Sequence, residues 1–289
     1  MPRIALPNKG RLADDARELF TDAGLDVRVR GDRALSASLG GRFEAIFVRA
    51  ADIPEFVADG TADMGVTGWD LVQESGRDLT TLLDLGLGRC RLSVAATDDS
   101  GITRADQVAN GARVATSFPR LTARYFEALG RRVEIVPVSG AAEIAPHLGI
   151  ADVIVDLVST GSTLRVNGLH EVAVVLESSA QLIASDRMAA TLSTDSSDAR
   201  EINGLVAALQ SVICAKGQRY LMANIPRELV PDIGRILPGL GGATIVNTTG
   251  DSVAVHAVVP VASLYQTITE LRACGATGVL VTRIERLIP

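Results

Sequence analysis

Lysine is almost missing from this chain of 289 residues: Lys9 and Lys216 are the two present, so arginine carries nearly all the positive charge. Codon usage is a sufficient reason, but it makes Lys9, inside a Pro-Asn-Lys-Gly turn, a residue to follow. The cysteines Cys90, Cys214 and Cys274 are far apart and form no metal-type pair; each sits among apolar neighbours and reads as a small hydrophobe. The histidines His147, His170 and His256 lack metal-ligand spacing and read as structural or surface groups. No basic block is present and the formal net charge is -6, which gives no support for non-specific nucleic-acid binding. An anionic ligand therefore needs a local basic site. No apolar run is long enough to span a membrane. The first residues carry Arg3, Lys9, Arg11, Asp14 and Asp15 with no apolar segment, unlike a secretory signal, so a cytoplasmic location is expected.

What is present is a large apolar fraction, 47%, against 21% charged residues, enough to bury sizeable cores in two or three domains. The most informative stretch is Ala151 to Leu164, ADVIVDLVSTGSTL. Val153, Ile154 and Val155 form an apolar run expected of a buried parallel strand. The strand ends at an acid, Asp156, and a turn of small residues follows: Ser159, Thr160, Gly161, Ser162 and Thr163. Such a turn offers hydroxyls and backbone N–H groups. If it opens a helix, those N–H groups are unpaired and suit an anion. An ordinary strand–loop–helix junction has the same appearance.

Elsewhere the α/β alternation recurs. A strand over 3–6 leads through Pro7-Asn8-Lys9-Gly10-Arg11 into a helix with Leu12, Ala16, Leu19, Phe20 and Ala23 at helical spacing. This puts Lys9 and Arg11 at a strand's C-terminal end, where open α/β sheets bind ligands, although both also suit a solvated loop. Two hairpin arms follow over 35–41 and 42–48, the second ending at Arg49. Asp52 is expected to cap a short helix over 53–58. A strand over 61–66 leads into Thr67-Gly68-Trp69-Asp70, a second turn of small residues with an acid at a helix start. Further strands are expected over 82–85, 92–96, 113–116 and 134–138. A helix over 121–129 should bury Leu121, Tyr125, Ala128 and Leu129, and one after it Ala142, Ala145 and Leu148. Extended stretches over 171–176 and 181–184, a loop over 186–198 and an amphipathic helix with Ile202, Leu205, Val206, Leu209 and Ile213 complete this part. Crossings near Arg89 and Gln181 would make the plan bilobal, with a ligand cleft between the lobes. From Gln218 the order becomes βαββαβ, the ferredoxin-like arrangement, with a helix over 229–237 and a hairpin turn at Thr248–Asp251.

A hydrophobic strand, an acid and Thr-Gly-x-Thr match the general form of the phosphoribosyl diphosphate loop of phosphoribosyltransferases, although Leu157 stands where many of them carry a second acid. Gly161 permits the tight turn. The longer segment EIAPHLGIADVIVDLVSTGSTL (Glu143 to Leu164) resembles the signature of the ATP phosphoribosyltransferase family, the first enzymes of histidine biosynthesis. LPNKGRL and GVTGWD resemble its other recurrent pieces, and the C-terminal module resembles that of its long form.

The resemblance implies a type II periplasmic-binding-protein-like pair of catalytic domains, over 1–90 with 182–213 and over 91–181, and a regulatory domain over 214–289. It implies attack of adenine N1 of ATP on C1 of phosphoribosyl diphosphate, departure of pyrophosphate, and a requirement for Mg²⁺. It implies feedback inhibition by L-histidine and a homo-oligomer that moves between dimer and hexamer. By the same resemblance Ser159, Thr160, Gly161, Ser162, Thr163 and Leu164 hold the sugar phosphate. Asp156 and Glu143 lie near the ribose or its metal, Asp156 being the candidate Mg²⁺ ligand. Lys9, Arg11 and Arg49 face the phosphates, and Gly68 and Asp70 lie on the ATP side. Asn224, Leu240 and Thr244 match positions near the histidine site. Two departures stand out: Ala51 replaces a lysine of some relatives, and Asn224 replaces an acid that would pair with the α-amino group of histidine. Adenine N1 has no proton to lose, so the lack of a paired-carboxylate or Ser/His/Asp constellation accords with this chemistry. A bilobal solute-binding protein or a phosphoribosyltransferase for a smaller base would share parts of the pattern.

Overall fold

A computed structural model of the chain describes residues 1–29, 35–248 and 250–288. The first run contains β1 (Arg3–Pro7), α1 (Arg11–Asp22), β2 (Val27–Val29), β3 (Ser36–Leu39), β4 (Phe43–Val48), α2 (Ile53–Ala58), β5 (Met64–Gly68), α3 (Trp69–Ser75) and β6 (Leu79–Asp84). The second contains β7 (Cys90–Thr97), β8 (Arg113–Thr116), α4 (Pro119–Ala128), β9 (Glu134–Pro137), β10 (Val153–Val158), α5 (Ser162–Val166) and β11 (Leu169–Ser178). The chain then forms β12 (Ala180–Ser185), α6 (Asp186–Leu192) and α7 (Ser197–Ala215). It ends with β13 (Gln218–Pro226), α8 (Ile233–Ile236), β14 (Thr244–Asn247), β15 (Ser252–Pro260), α9 (Val261–Ala273) and β16 (Thr277–Arg283).

Two compact units emerge: Met1–Thr21 with Leu25–Asn203, and Gly204–Pro289 with Asp22–Gly24. The first holds two sheets. One has the order β2-β3-β4-β1-β5-β12-β6, the other β11-β7-β10-β8-β9. In the first sheet β4, β1 and β5 are parallel, and the returning β12 inserts antiparallel between β5 and β6. This is the type II binding-protein plan, in which a late strand comes back to complete the first lobe. Two crossings join the lobes, β6 to β7 and β11 to β12. They are tied together where Leu85 N–H donates to the Ala180 carbonyl and Ala180 N–H to the Leu87 carbonyl, both at 2.9 Å. A second tie lies at α3. Both oxygens of Glu74 accept first-turn N–H groups of α4, from Arg120 and Leu121, each at 2.9 Å. A carboxylate from one lobe thus caps a helix of the other, which the helix dipole favours.

Each lobe has its own apolar packing. Leu92, Val94, Val114, Val153 and Val155 bury one face of the second sheet against Phe118, Leu121 and Phe126. Ala95, Ile154 and Val158 bury the other against Ala142, Ala145 and Leu164. The two faces follow the strand period of two, which fixes the side of β10 that carries Asp156.

The second unit has a four-stranded sheet of order β14-β15-β13-β16, antiparallel throughout, as the ferredoxin-like reading expects. Leu221, Ala223, Ile225, Val253, Val255, Ala257 and Val259 face inward onto Ile233, Leu237 and Leu271. The expected hairpin turn between β14 and β15 includes Thr249, which lies outside the described residues.

Several local expectations are corrected. The stretch expected as a loop over 186–198 contains α6, because the Ser185 hydroxyl accepts the Met188 N–H at 3.3 Å and caps a run of good helix formers. Asp52 makes no side-chain cap to α2; a 3₁₀ turn over Ala50–Asp52 precedes the helix instead. The helix expected to bury Leu148 is a 3₁₀ turn over Ala142–Ile144, and Leu148 is 62% exposed. Pro146, which lacks an N–H, comes two residues after the turn and does not extend a helix. In α4 the buried face is Leu121, Thr122 and Phe126, while Ala128 and Leu129 are exposed where the helix ends before Gly130. The region expected as one helix over 229–237 is a 3₁₀ turn over Arg227–Asp232, interrupted by Pro231, followed by the short α8.

Candidate active site

A cleft of about 530 Å³ opens at the two crossings of the first unit. Trp69, Asp84, Arg89, Arg91, Ser159 and Gln181 are among the residues that line it, so both lobes contribute. Its wall is tightly built. Asp84 Oδ1 accepts the Ser179 hydroxyl at 2.7 Å and the Gly86 N–H at 2.9 Å. Burial opposes ionisation of Asp84, but these hydrogen bonds and the charge of Arg89 outweigh it and hold the carboxyl below the usual range. Trp69 N–H donates to the Ser179 carbonyl at 2.9 Å, so the only tryptophan of the chain is fixed to the second crossing.

β10 delivers the turn over 159–163 to this cleft. Its last residue, Val158, pairs with Arg91 of β7, and Ser159 reaches the cleft lining. Gly161 has φ +73° and is the N-cap of α5. Thr160 and Ser162 hydroxyls are 3.0 Å apart, and Thr160 Oγ1 accepts the Ser162 N–H at 3.4 Å. Ser159, Thr160, Ser162 and Thr163 are exposed. Leu164 is not a ligand-facing residue: it is 5% exposed and packs under the loop in the apolar cluster with Ile154 and Val158.

Asp156 is half-buried, and its Oδ1 accepts the Leu157 N–H at 2.7 Å. Burial raises its pKa above the ordinary carboxylate value, the Leu157 bond opposes the rise, and the charge of Glu143 adds to it. Glu143 is thus near enough for its charge to be felt at Asp156.

Asp70 departs from the expected picture. It is 4% exposed, behind the cleft wall. Its N–H donates to the Ser178 hydroxyl at 3.0 Å, and that hydroxyl donates to Asp70 Oδ1. Asp70 thus joins α3 to the end of β11 and meets the cleft only through Ser178. Burial raises its pKa, against the opposing hydrogen bond from Ser178. Burial and the Asp70 charge also push up the Cys90 thiol, so this cleft cysteine is a poor nucleophile.

The raised Asp70 value sets a pH signature. A carboxyl that ionises later in the folded state than in the unfolded state costs stability as pH rises. The cost begins above the unfolded value, grows up to the folded value and is constant beyond. Asp70→Asn keeps an acceptor for Ser178 without the charge. Its melting temperature is expected to gain on wild type as pH rises through and above the ordinary carboxylate range. A gap independent of pH in parallel melts would refute the assignment.

Lys9 and Arg49 are exposed at the C-terminal ends of β1 and β4, where Asn8 N–H donates to the Val48 carbonyl at 2.8 Å. The Arg11 side chain is 90% exposed, with Asp15 at 3.7 Å. Among the described residues, the cleft lining does not include these three cations. Arg89 and Arg91 occupy it instead. The sequence carried a faint signal for them: two arginines flanking Cys90 directly after a glycine-rich crossing. In the second unit, Asn224 and Thr244 are exposed on the outer face of the sheet, opposite the apolar packing, and Leu240 is 55% exposed in the turn before β14. Among the described residues no cluster of three or more His, Cys, Asp or Glu side chains could hold a metal ion, and no helix is long and apolar enough to cross a membrane.

With this geometry in place, comparison with known proteins is informative. The sequence model described as ATP phosphoribosyltransferase matches residues 49–211, and the one described as HisG, C-terminal domain matches residues 215–286. The ATP phosphoribosyltransferase of Gemmatimonas aurantiaca is 64% identical over 294 aligned positions that cover 100% of both chains. That of Natronomonas pharaonis is 47% identical, over 99% of this chain and 100% of its own. Among solved structures, the ATP phosphoribosyl transferase (HisG:HisZ) complex from Thermotoga maritima superposes with a TM-score of 0.64 at 26% identity, covering 74% of this chain and 98% of that one. The fold, the loop and these relatives agree: the chain belongs to the ATP phosphoribosyltransferase family.

Proposed function

We propose that this chain condenses ATP with phosphoribosyl diphosphate at the inter-lobe cleft, giving N1-(5-phosphoribosyl)-ATP and pyrophosphate as the first step of histidine biosynthesis. The observation that carries this reading is the end of β10. A half-buried acid, Asp156, is followed by an exposed hydroxyl-rich turn whose Gly161 is left-handed, at the edge of a cleft lined by two arginines. The turn suits a sugar phosphate, with Ser159, Thr160, Gly161, Ser162 and Thr163 as its donors. Of the two arginines, Arg89 suits a pyrophosphate or triphosphate chain.

The N1 lone pair of adenine forms the new bond to C1 of the ribose, and the electron pair of the breaking C1–O bond leaves with pyrophosphate. No proton is taken, so no general base is required. The residues act by orientation and by charge placed against the developing oxocarbenium ion and leaving group. Asp156 is a ribose or metal orienter in this scheme. With Glu143 it supplies hard oxygen donors, and Mg²⁺ is commonly held by one or two carboxylates together with substrate phosphates. These donors fit Mg²⁺, which when held there would neutralise charge on the departing pyrophosphate. Lys9, Arg11 and Arg49, exposed at strand ends of the first lobe, are assigned to the outer phosphates, and Gly68 shapes the ATP side of the cleft.

The proposal extends to the second unit. Residues 214–289 are assigned as a regulatory domain that binds L-histidine near Asn224, Leu240 and Thr244, in a homo-oligomer ranging from dimer to hexamer. A cytoplasmic location accords with a biosynthetic step that draws on ATP.

The test is direct. The protein is mixed with ATP, phosphoribosyl diphosphate and Mg²⁺, pyrophosphatase is added to pull the reaction forward, and ultraviolet absorbance of the product is followed. Product formation that requires all three components is expected, and no product across salt and pH would sink the catalytic reading. Histidine is expected to depress the rate; an unchanged rate at saturating histidine would refute the regulatory assignment alone.

A further inference from the structure

Arg91 has a role that its place in β7 makes specific. It pairs across the sheet with Val158, the last residue of β10, so Ser159 is the first residue beyond the ladder. A carbonyl just past a strand end needs a partner from outside the ladder. Arg91 supplies it: Nη1 donates to the Ser159 carbonyl at 3.1 Å. The rest of the guanidinium is held from behind. Nε lies 2.9 and 2.8 Å from the two Glu171 oxygens, and Nη2 lies 2.8 Å from Oε2. Both side chains are largely sheltered, at 30% and 27% exposed, so the pair is better ordered than a surface ion pair. Arg91, Ser159 and Glu177 all line the cleft.

We propose that Arg91, oriented by Glu171, is a positioning residue for the sugar-phosphate loop: it fixes the Ser159 carbonyl and thereby the direction in which the N–H groups of the following turn point. The inference rests on reading 159–163 as the phosphate cradle. The planar fork is essential, because one group must meet both carboxylate oxygens and a backbone carbonyl at once. A lysine ammonium carries the same charge without that geometry. The function is therefore one of shape as much as charge, and Arg91→Lys is a disruptive change.

The experiment uses the full-length chain with Arg91→Lys, Arg91→Met and Glu171→Gln, and takes Gly161→Val as reference. Steady-state rates give KM for each substrate, calorimetry gives the affinity for ribose 5-phosphate, and thermal melts report folding. Both Arg91 variants are expected to raise KM for phosphoribosyl diphosphate and weaken ribose 5-phosphate about tenfold or more, as loss of a hydrogen bond from a charged donor does. KM for ATP should stay at the wild-type value. Glu171→Gln keeps the shape of the orienting side chain and should fall between wild type and Arg91→Lys, which keeps the test open if an Arg91 variant fails to fold. Equal rises in both KM values would overturn the proposal, since Arg91 would then serve the nucleotide or the lobe as a whole. Wild-type KM for phosphoribosyl diphosphate in the Arg91 variants, with binding lost in Gly161→Val, would overturn the clamp and leave the cradle standing. Wild-type binding in Gly161→Val would remove the cradle reading itself.

Discussion

Gly161→Val is expected to abolish binding of phosphoribosyl diphosphate while leaving the protein folded. The reason is conformational rather than steric. A Cβ at this position would meet nothing closer than Arg165 Nη1 at 3.7 Å and Val158 Cγ1 at 3.8 Å, which is ordinary contact. The backbone, however, sits at φ +73° and ψ 7°, the left-handed region. A β-branched residue there costs about 1–3 kcal/mol, so the turn escapes into an extended or right-handed conformation. That escape redirects the N–H groups of Ser162 and Thr163 and parts the Thr160 hydroxyl from Ser162, which it reaches only across this turn. The apolar support beneath, Leu164 of α5 against Ile154 and Val158 of β10, is buried packing that does not need the left-handed turn and survives. Calorimetry with ribose 5-phosphate should show a loss of about 100-fold or more, the weight of two or more charge-assisted hydrogen bonds. Thermal melts should stay within a few degrees of wild type. Gly161→Ala pays a smaller conformational cost and should lie between. Tight binding by the valine variant would mean that the phosphate lies elsewhere.

What was legible in the sequence was whatever one element determines by itself. The apolar, β-branched run Val153–Val155 marks a buried strand, and the structure packs its two faces into separate clusters, although β10 runs parallel only to β8 and antiparallel to β7. The ferredoxin-like order was legible because turns and periods alternate over short distances. Short capped elements such as α6 were missed because a single serine cap inside a polar stretch is a weak signal. The candidate loop is legible in sequence, whereas the walls of the cleft are not. Asp70 looked like a helix-start acid beside a nucleotide, yet its partner Ser178 is 108 residues away, and only folding reveals that the pair is buried. Arg91 was passed over for the same reason: its acceptors, Ser159 and Glu171, lie 68 and 80 residues further along. Turn chemistry is local and shows in sequence; the partners of a charged side chain are a tertiary property and do not.

The same distant pairing makes Gly68→Ala a strongly destabilising substitution. Gly68 has an unexceptional φ of -69°, so no backbone argument requires glycine there. The requirement is space. A Cβ would lie 2.3 Å from Asp70 Oδ1 and 3.2 Å from its Cγ. Asp70 cannot yield cheaply, because it is short, 4% exposed and hydrogen-bonded to Ser178 through both its N–H and its carboxylate. Moving the carboxylate leaves a buried acid without its donor, and moving α3 strains the Trp69 N–H bond to Ser179. Either route costs about 2–4 kcal/mol, which corresponds to several degrees in the melting temperature of a domain this large. Activity should fall as well, since Trp69 and Ser178 form the cleft wall. A double-mutant cycle isolates the cause. Asp70→Ala removes the obstructing oxygen, so the double variant should be more stable than the sum of the two single losses predicts. Strict additivity in the melts would show that Gly68 is needed for something other than room for the Asp70 carboxylate.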